Sequence, residues 1–172
     1  GSRVLRHDFG FKRMNTTLIA VGKKKERYFE DAIREYSKRL SRYCRLEIIQ
    51  VADEKTPDGA SEALEEQIKE KEGRRILDQI REGAYVIALA VEGKQLDSLE
   101  LAARMERLAV EGKSQLVFLI GGSLGLSKEV MRRADFALSF SAMTFPHQLM
   151  RVILLEQIYR SFRIRAGEPY HK

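Results

Sequence analysis

Short, unbroken apolar runs separated by longer amphipathic ones restrict the fold of this chain more than any other feature. Val117-Phe118-Leu119-Ile120 has no polar residue at alternate positions, so both faces of that segment must be buried. A strand inside a parallel sheet covered by helices on both sides meets that condition. Comparable runs predict strands over residues 16–21, 46–51, 84–91, 115–120 and 136–140. Between them lie helical spacings. Phe29, Ile33, Tyr36 and Leu40 recur at three and four residues within 26–41. Ser61 is a good cap for a helix to about residue 82, with Glu62, Glu65 and Glu66 early, where the dipole favours acids. Asp97-Ser98-Leu99-Glu100 has the form of a capping box opening a helix to 110. Ser127 caps a short helix to 134, and Pro146 suits the first position of a helix to about 163. This alternation predicts an α/β domain with a mainly parallel sheet flanked by helices. The irregular connection 52–60 reads as mobile.

The last helix is apolar nearly all round: Leu149, Met150, Val152, Ile153, Leu154, Leu155, Ile158, Tyr159 and Phe162 point in most directions. A surface helix needs only one apolar stripe, so this one is expected to be covered on two sides, by its own sheet and by a second subunit. A homodimer follows. Arg151, Glu156, Gln157 and Arg160 need partners if buried there, and Glu156 and Arg160, at i and i+4, can serve each other.

Composition removes several classes of function. A chain of 172 residues buries roughly two-thirds of its unfolded surface, enough for one core without staples. It contains no run of about 18 uncharged apolar residues, so no bilayer-spanning helix is expected. The single cysteine, Cys44, fits a reducing compartment, here the cytoplasm. Histidines at 7, 147 and 171 match no metal-ligand spacing, so no metal is expected. The net charge is +6. Residues 1–13 precede Met14, begin Gly-Ser and read as an expression-tag remnant carrying about half of that charge. The remainder, 14–172, is expected to be a single domain. Its basic ends flank an acidic middle, which suits a polyanion at one face or, equally, solvated helix surfaces.

Three strand-to-turn junctions are candidate ligand sites. Strand 115–120 runs into Gly121-Gly122-Ser123-Leu124-Gly125, a turn that lets a ligand approach the backbone or is simply tight. It is neither a Walker A loop nor G-x-G-x-x-G. Phe140-Ser141-Ala142-Met143-Thr144-Phe145-Pro146-His147 leads into the last helix, and Leu89-Ala90-Val91-Glu92-Gly93-Lys94 ends another strand. Crevices outside the carboxyl ends of parallel strands are the usual ligand sites of α/β folds. His147 reads as capping or packing in preference to catalysis. Tyr170 and His171 close the chain, where fraying is the default, although both suit contact with a nucleobase.

Taken in order, Ile120-Gly121-Gly122-Ser123-Leu124-Gly125, Leu138 to His147, Arg151, Glu156-Gln157-Ile158-Tyr159-Arg160 and Pro169-Tyr170-His171 resemble the bacterial ribosomal RNA large-subunit methyltransferase H family. The opening Leu18-Ile19-Ala20-Val21-Gly22-Lys23 is similar to that family's start. The family belongs to the knotted SPOUT methyltransferases. The resemblance implies a C-terminal trefoil knot, a homodimer, S-adenosyl-L-methionine (SAM) as cofactor, and methylation of N3 of a pseudouridine in helix 69 of 23S rRNA within the ribosome. Carried over by position, the cofactor residues are Leu89, Gly121, Phe140, Ser141, Ala142, Met143, Thr144 and Phe145. The tail acts at the substrate side, often across the dimer. On that reading His171, or a water it holds, takes the N3 proton, Tyr170 packs near the base, and Arg160 holds phosphate or developing negative charge. Glu156 as base, or a purely positional tail, are the alternatives. Lys23, Lys24, Lys25, Arg27 and the C-terminal arginines are candidate phosphate contacts. A non-catalytic ribosome-binding module of the same fold and an enzyme using another adenosine cofactor such as NAD are the rival readings.

Overall fold

The computed structural model describes residues 14–23 and 26–170. The order is β1 (Met14–Val21), α1 (Arg27–Leu40), β2 (Cys44–Val51), α2 (Glu62–Leu77), β3 (Tyr85–Gln95), α3 (Ser98–Val110), β4 (Gln115–Ile120), α4 (Lys128–Arg133), β5 (Phe136–Ser139) and α5 (His147–Arg165). The five strands form one sheet in the order β2-β1-β4-β3-β5, with every neighbouring pair parallel. The expected α/β class with a parallel sheet flanked by helices is therefore the observed one.

Strand parity explains the unbroken apolar runs. Leu116, Phe118 and Ile120 of β4 join Leu18 and Ala20 of β1 in a core that also holds Ile33, Met105, Leu154 and Ile158 from α1, α3 and α5. The intervening Val117 and Leu119 join Ile19, Val21, Val86, Ile76 and Val130 in the opposite core, under α2 and α4. Each face of the central strands thus meets its own helical layer. Register follows, with Ile19 beside both Ile49 and Leu119. A one-residue slip would exchange the two sets of side chains.

The caps behave as their chemistry requires. The Ser61 side chain accepts the Leu64 amide, Ser127 accepts that of Val130, and Asp97 and Glu100 complete a reciprocal capping box. Several boundaries depart from expectation: β1 and β2 begin at Met14 and Cys44 rather than at 16 and 46, and three others differ for reasons the contacts show. α2 stops at Leu77 rather than near 82, because 78–80 tighten into turns (Gln79 N to Ile76 O, 3.0 Å) and Ile80 folds onto the core beneath β3. Pro146 is the cap before α5, with ψ of 135°, and not its first helical residue. β3 runs on to Gln95 through an irregularity in which both Leu89 and Lys94 pair with Leu138 of β5. Gly93 permits this, since a Cβ there would stand 2.7 Å from the carbonyl carbon of Ala137.

α5 is covered within its own chain, packing against α1, α3 and β4. Two flanking helices and the sheet account for much of its all-round apolar surface, leaving a half-buried strip as the side a second subunit would cover. Its polar residues find partners too. Arg151 is fully buried and donates to Val21 O (2.9 Å), Gly22 O (2.8 Å) and Gln50 Oε1 (3.1 Å). Gln157 accepts Ser98 Oγ at 2.7 Å. What remains half-buried on the helix includes Leu149, Ile153, Glu156, Arg160 and Ile164. The connection 52–60 is irregular as expected, but it is anchored at its start rather than left loose. Arg75 donates to Ala52 O (2.9 Å) and pairs with Glu54, and the Glu54 amide donates to Glu72 (2.9 Å).

Candidate functional site

The carboxyl ends of β3, β4 and β5 open onto one cavity of about 730 Å³, within the range of small-molecule sites. All three junctions singled out in the sequence contribute: Leu89 to Glu92, Gly121 to Gly125, and the stretch from Phe140 to His147 apart from Ala142. The chain path places the site. β4 and β3 lie side by side, but the helices that follow them, α4 and α3, pack on opposite faces of the sheet. Ligands of open α/β sheets sit in the crevice such a divergence opens.

Gly121 and Gly125 shape the floor. A Cβ on Gly121 would lie 2.7 Å from the Gly125 carbonyl carbon and 2.8 Å from its oxygen, so the loop closes on itself only with glycine there. Gly125 has φ of +88° and donates its amide to Gly122 O at 3.0 Å. Beneath the loop, a Cβ on Gly122 would come within 3.2 Å of Glu72 Oε1 and of Val21. Glu72 is 4% exposed, and burial, reinforced by Asp53 and Glu54, pushes its carboxyl up despite the Glu54 amide and Arg75. That carboxylate therefore holds the connection after β2 through the Glu54 amide and packs against the underside of the glycine loop.

The walls are mainly apolar. Leu89, Met131, Phe145, Pro146 and Met150 face the cavity, with Lys69, Glu92 and His147 as its charged or titratable lining. Lys69 is held at 2.8 Å by Glu66. Lys69, Met131 and Met150 come from helices and were not anticipated. The β3 irregularity is what turns Ala90, Val91 and Glu92 toward the cavity, a common use of a bulge beside a site. After β5 the backbone from Phe140 to Pro146 is irregular, with Ser139 Oγ donating to Ser141 O (3.0 Å) and the Met143 amide donating to Ser141 Oγ (2.9 Å). Its peptide groups are not consumed by a sheet ladder. A flat heteroaromatic ring with polar edges fits such a place, between apolar walls and exposed backbone. Of the eight expected cofactor residues, the cavity brings together all but Ala142.

The expected catalytic residues lie elsewhere in the chain. Arg160 stands ten residues along α5 from Met150, the last residue of that helix in the cavity wall, about 15 Å at 1.5 Å per residue. Arg160 pairs with Glu156 at 3.2 Å, as its spacing predicted. Tyr170 folds back onto both, donating to Glu156 Oε2 at 2.7 Å, with Arg160 stacked 4.6 Å from its ring centre and Tyr159 edge-on at 5.1 Å. Burial, and next the bond to Glu156, push the Tyr170 phenol up to about 12. His171 lies outside the described residues. Among the described residues no group of three or more His, Cys, Asp or Glu is placed to hold a metal ion. Among them, too, no helix is long and apolar enough to cross a membrane.

Comparison with known proteins adds the family. The profile described as "Predicted SPOUT methyltransferase" matches residues 14–171. A protein of Bifidobacterium adolescentis named ribosomal RNA large subunit methyltransferase H is 65% identical over 159 residues, covering 92% of this chain and all of the relative. A protein of the same name from Clostridium kluyveri is 60% identical over the same lengths. Among solved structures, a Neisseria gonorrhoeae protein assigned to a methylase family shares the fold. Its TM-score is 0.51 and its identity 12%, covering 95% of this chain and 88% of that one.

Proposed function

Since the chain belongs to the SPOUT methyltransferase family, alongside the ribosomal RNA large subunit methyltransferases H, we propose a specific reaction for it. It transfers a methyl group from S-adenosylmethionine to N3 of a pseudouridine in helix 69 of 23S rRNA, on assembled ribosomes. The trefoil knot of that family and a cytoplasmic location belong to the same proposal. The observation that carries it is the meeting of three strand ends in one glycine-floored, largely apolar cavity.

The residues present fit the cofactor. Leu89 and Phe145 provide apolar walls for the adenine, and the peptide groups of 140–145 can read its edge. Gly121 lets the ligand approach the backbone. When bound, the cofactor supplies an electrophilic methyl carbon on a sulfonium. The chain must then hold the nucleobase in line with that carbon, which accounts for much of the rate, and it must accept the N3 proton. Tyr170 is a poor acceptor, because its own proton is held on Glu156. It serves as a packing surface, with Arg160 beside it to meet phosphate or negative charge on the base. His171, next in the chain, is the proposed proton acceptor.

About 15 Å of α5 separates Arg160 from Met150, the last residue of that helix lining the cavity of the same chain. A homodimer pairing the half-buried strip of α5 would bring one subunit's cluster to the other's cavity. Leu149 and Ile153 on that strip provide apolar contact. Arg27 and Lys23 with its two following lysines remain proposed phosphate contacts.

The test uses labelled S-adenosylmethionine with ribosomes lacking the methyl group, and pseudouridine-free ribosomes as control. Label on one large-subunit pseudouridine, absent from the control, is the expected result. Cofactor binding without transfer would favour a ribosome-binding module of the same fold, and preference for NAD would overturn the cofactor assignment.

A further inference from the structure

The tail after α5 is not simply an end. Gly167, at φ +70°, reverses the chain, and the Gly167 and Glu168 amides cap the helix by donating to Ile164 O (3.0 Å) and Arg163 O (2.9 Å). The tail then runs back along α5. Glu168 is gripped from two sides: Tyr43 Oη donates to Oε1 at 2.5 Å, and Arg163 stands 3.5 Å from Oε2. Arg163 also donates to Pro169 O at 3.2 Å. Tyr43 comes from the turn between α1 and β2, 125 residues away in sequence. Its ring is fixed by stacking on Phe162 at 5.4 Å with an 11° interplanar angle. The next described contact along the tail is Tyr170 on Glu156.

We propose that Tyr43, with Arg163, is a positioning residue for the reaction: it clamps Glu168 and so fixes where Tyr170 lies. This rests on the tail's proposed role at the substrate side. A three-point grip on one carboxylate and the following carbonyl is more than a helix end needs, since the cap is already complete through backbone bonds. The grip leaves the cavity untouched, because neither Tyr43 nor Glu168 lines it. Losing it should change the use of a bound substrate rather than cofactor binding.

The experiment compares the full chain with Tyr43→Phe, which keeps the ring stack, and with Glu168→Gln. Hydrogen exchange of the tail amides is measured in the cofactor-free protein. kcat for ribosome methylation and the Kd for S-adenosylmethionine are measured separately. The expected result is faster exchange confined to the tail and a kcat lower by about tenfold, the size of one hydrogen bond to a charged group. Kd should stay within about twofold, and the double variant should be no worse than the worse single one. Unchanged exchange overturns the clamp. Faster exchange with unchanged kcat, or a Kd that rises as kcat falls, overturns the positioning role. Wild-type protein that transfers no methyl group overturns the catalytic half alone, because exchange still decides whether the clamp exists.

Discussion

Replacing Gly121 with alanine tests the glycine loop as the cofactor's floor. The new Cβ would stand 2.7 and 2.8 Å from the carbonyl carbon and oxygen of Gly125. Carbon atoms in contact prefer about 3.5–4.0 Å, so the strands of the loop must part by roughly 0.7 Å or more. Both contacts are backbone, which cannot rotate away as a side chain would. Gly125 is further held by its bond to Gly122 O and its left-handed conformation. Overpacking of this kind costs about 1–3 kcal/mol. The displaced atoms line the cavity, so the part of that cost needed to restore the binding geometry appears as lost affinity, about tenfold at 1.4 kcal/mol per decade, and the rest as lost stability. Titration calorimetry with S-adenosylmethionine reads the affinity, and urea unfolding reads the stability. Gly125→Ala is the contrasting control: its Cβ meets nothing within 4 Å, but φ of +88° strains it by about 1–2 kcal/mol. A folded Gly121→Ala protein that binds cofactor within about twofold of wild type would refute the reasoning.

Three further outcomes follow from the same geometry. Arg151→Ala leaves the Val21 and Gly22 carbonyls and the Gln50 side chain without their buried donor, and should lower the unfolding free energy by about 3–5 kcal/mol in urea. The Glu72 carboxyl is pushed up in the folded chain by burial. Its ionised form therefore costs stability as pH rises from the unfolded value of 4.5 through the folded one. Glu72→Gln, which can still accept the Glu54 amide, should be more stable than wild type at pH 8 and no more stable at pH 4, read from urea midpoints. Tyr170, pushed up to about 12, contributes stability that is present below its ordinary value of 10.0 and lost as pH rises through 12. Ultraviolet titration should show tyrosine still protonated near pH 11, an amount that falls by one residue in Tyr170→Phe.

Much of the fold was legible because its determinants are local. β4 falls on the expected residues, since both parities of Gln115–Ile120 are committed to cores. The capping box at Asp97 and the caps at Ser61 and Ser127 act within one helical turn of themselves. The three junctions of the cavity were legible for the same reason, each being a strand end followed by small residues. What escaped the sequence depends on approach between distant segments. The β3 irregularity needs Gly93 against Ala137, and Lys69 and Met131 reach the cavity from helices on the far side of the sheet. Glu72 looked like one more helix acid until the fold put it under Gly122. The apolar surface of α5 signals cover on more than one side. Within the chain that cover is α1, α3 and the sheet, and a pattern along one helix cannot tell it from a second subunit.

The geometric claim at the centre of this account is that one subunit's cavity works with the other's tail. Co-expressed, differently tagged chains allow its direct measurement. One chain carries Gly121→Ala with Phe145→Ala to disable the cavity, and the other ends at Ala166. Purified heterodimers hold one intact cavity opposite one intact tail, so the account predicts about half of wild-type ribosome methylation while each parent homodimer stays inactive. A heterodimer as inactive as its parents would contradict it, because a tail acting on its own subunit's cavity leaves no complete site in that pair.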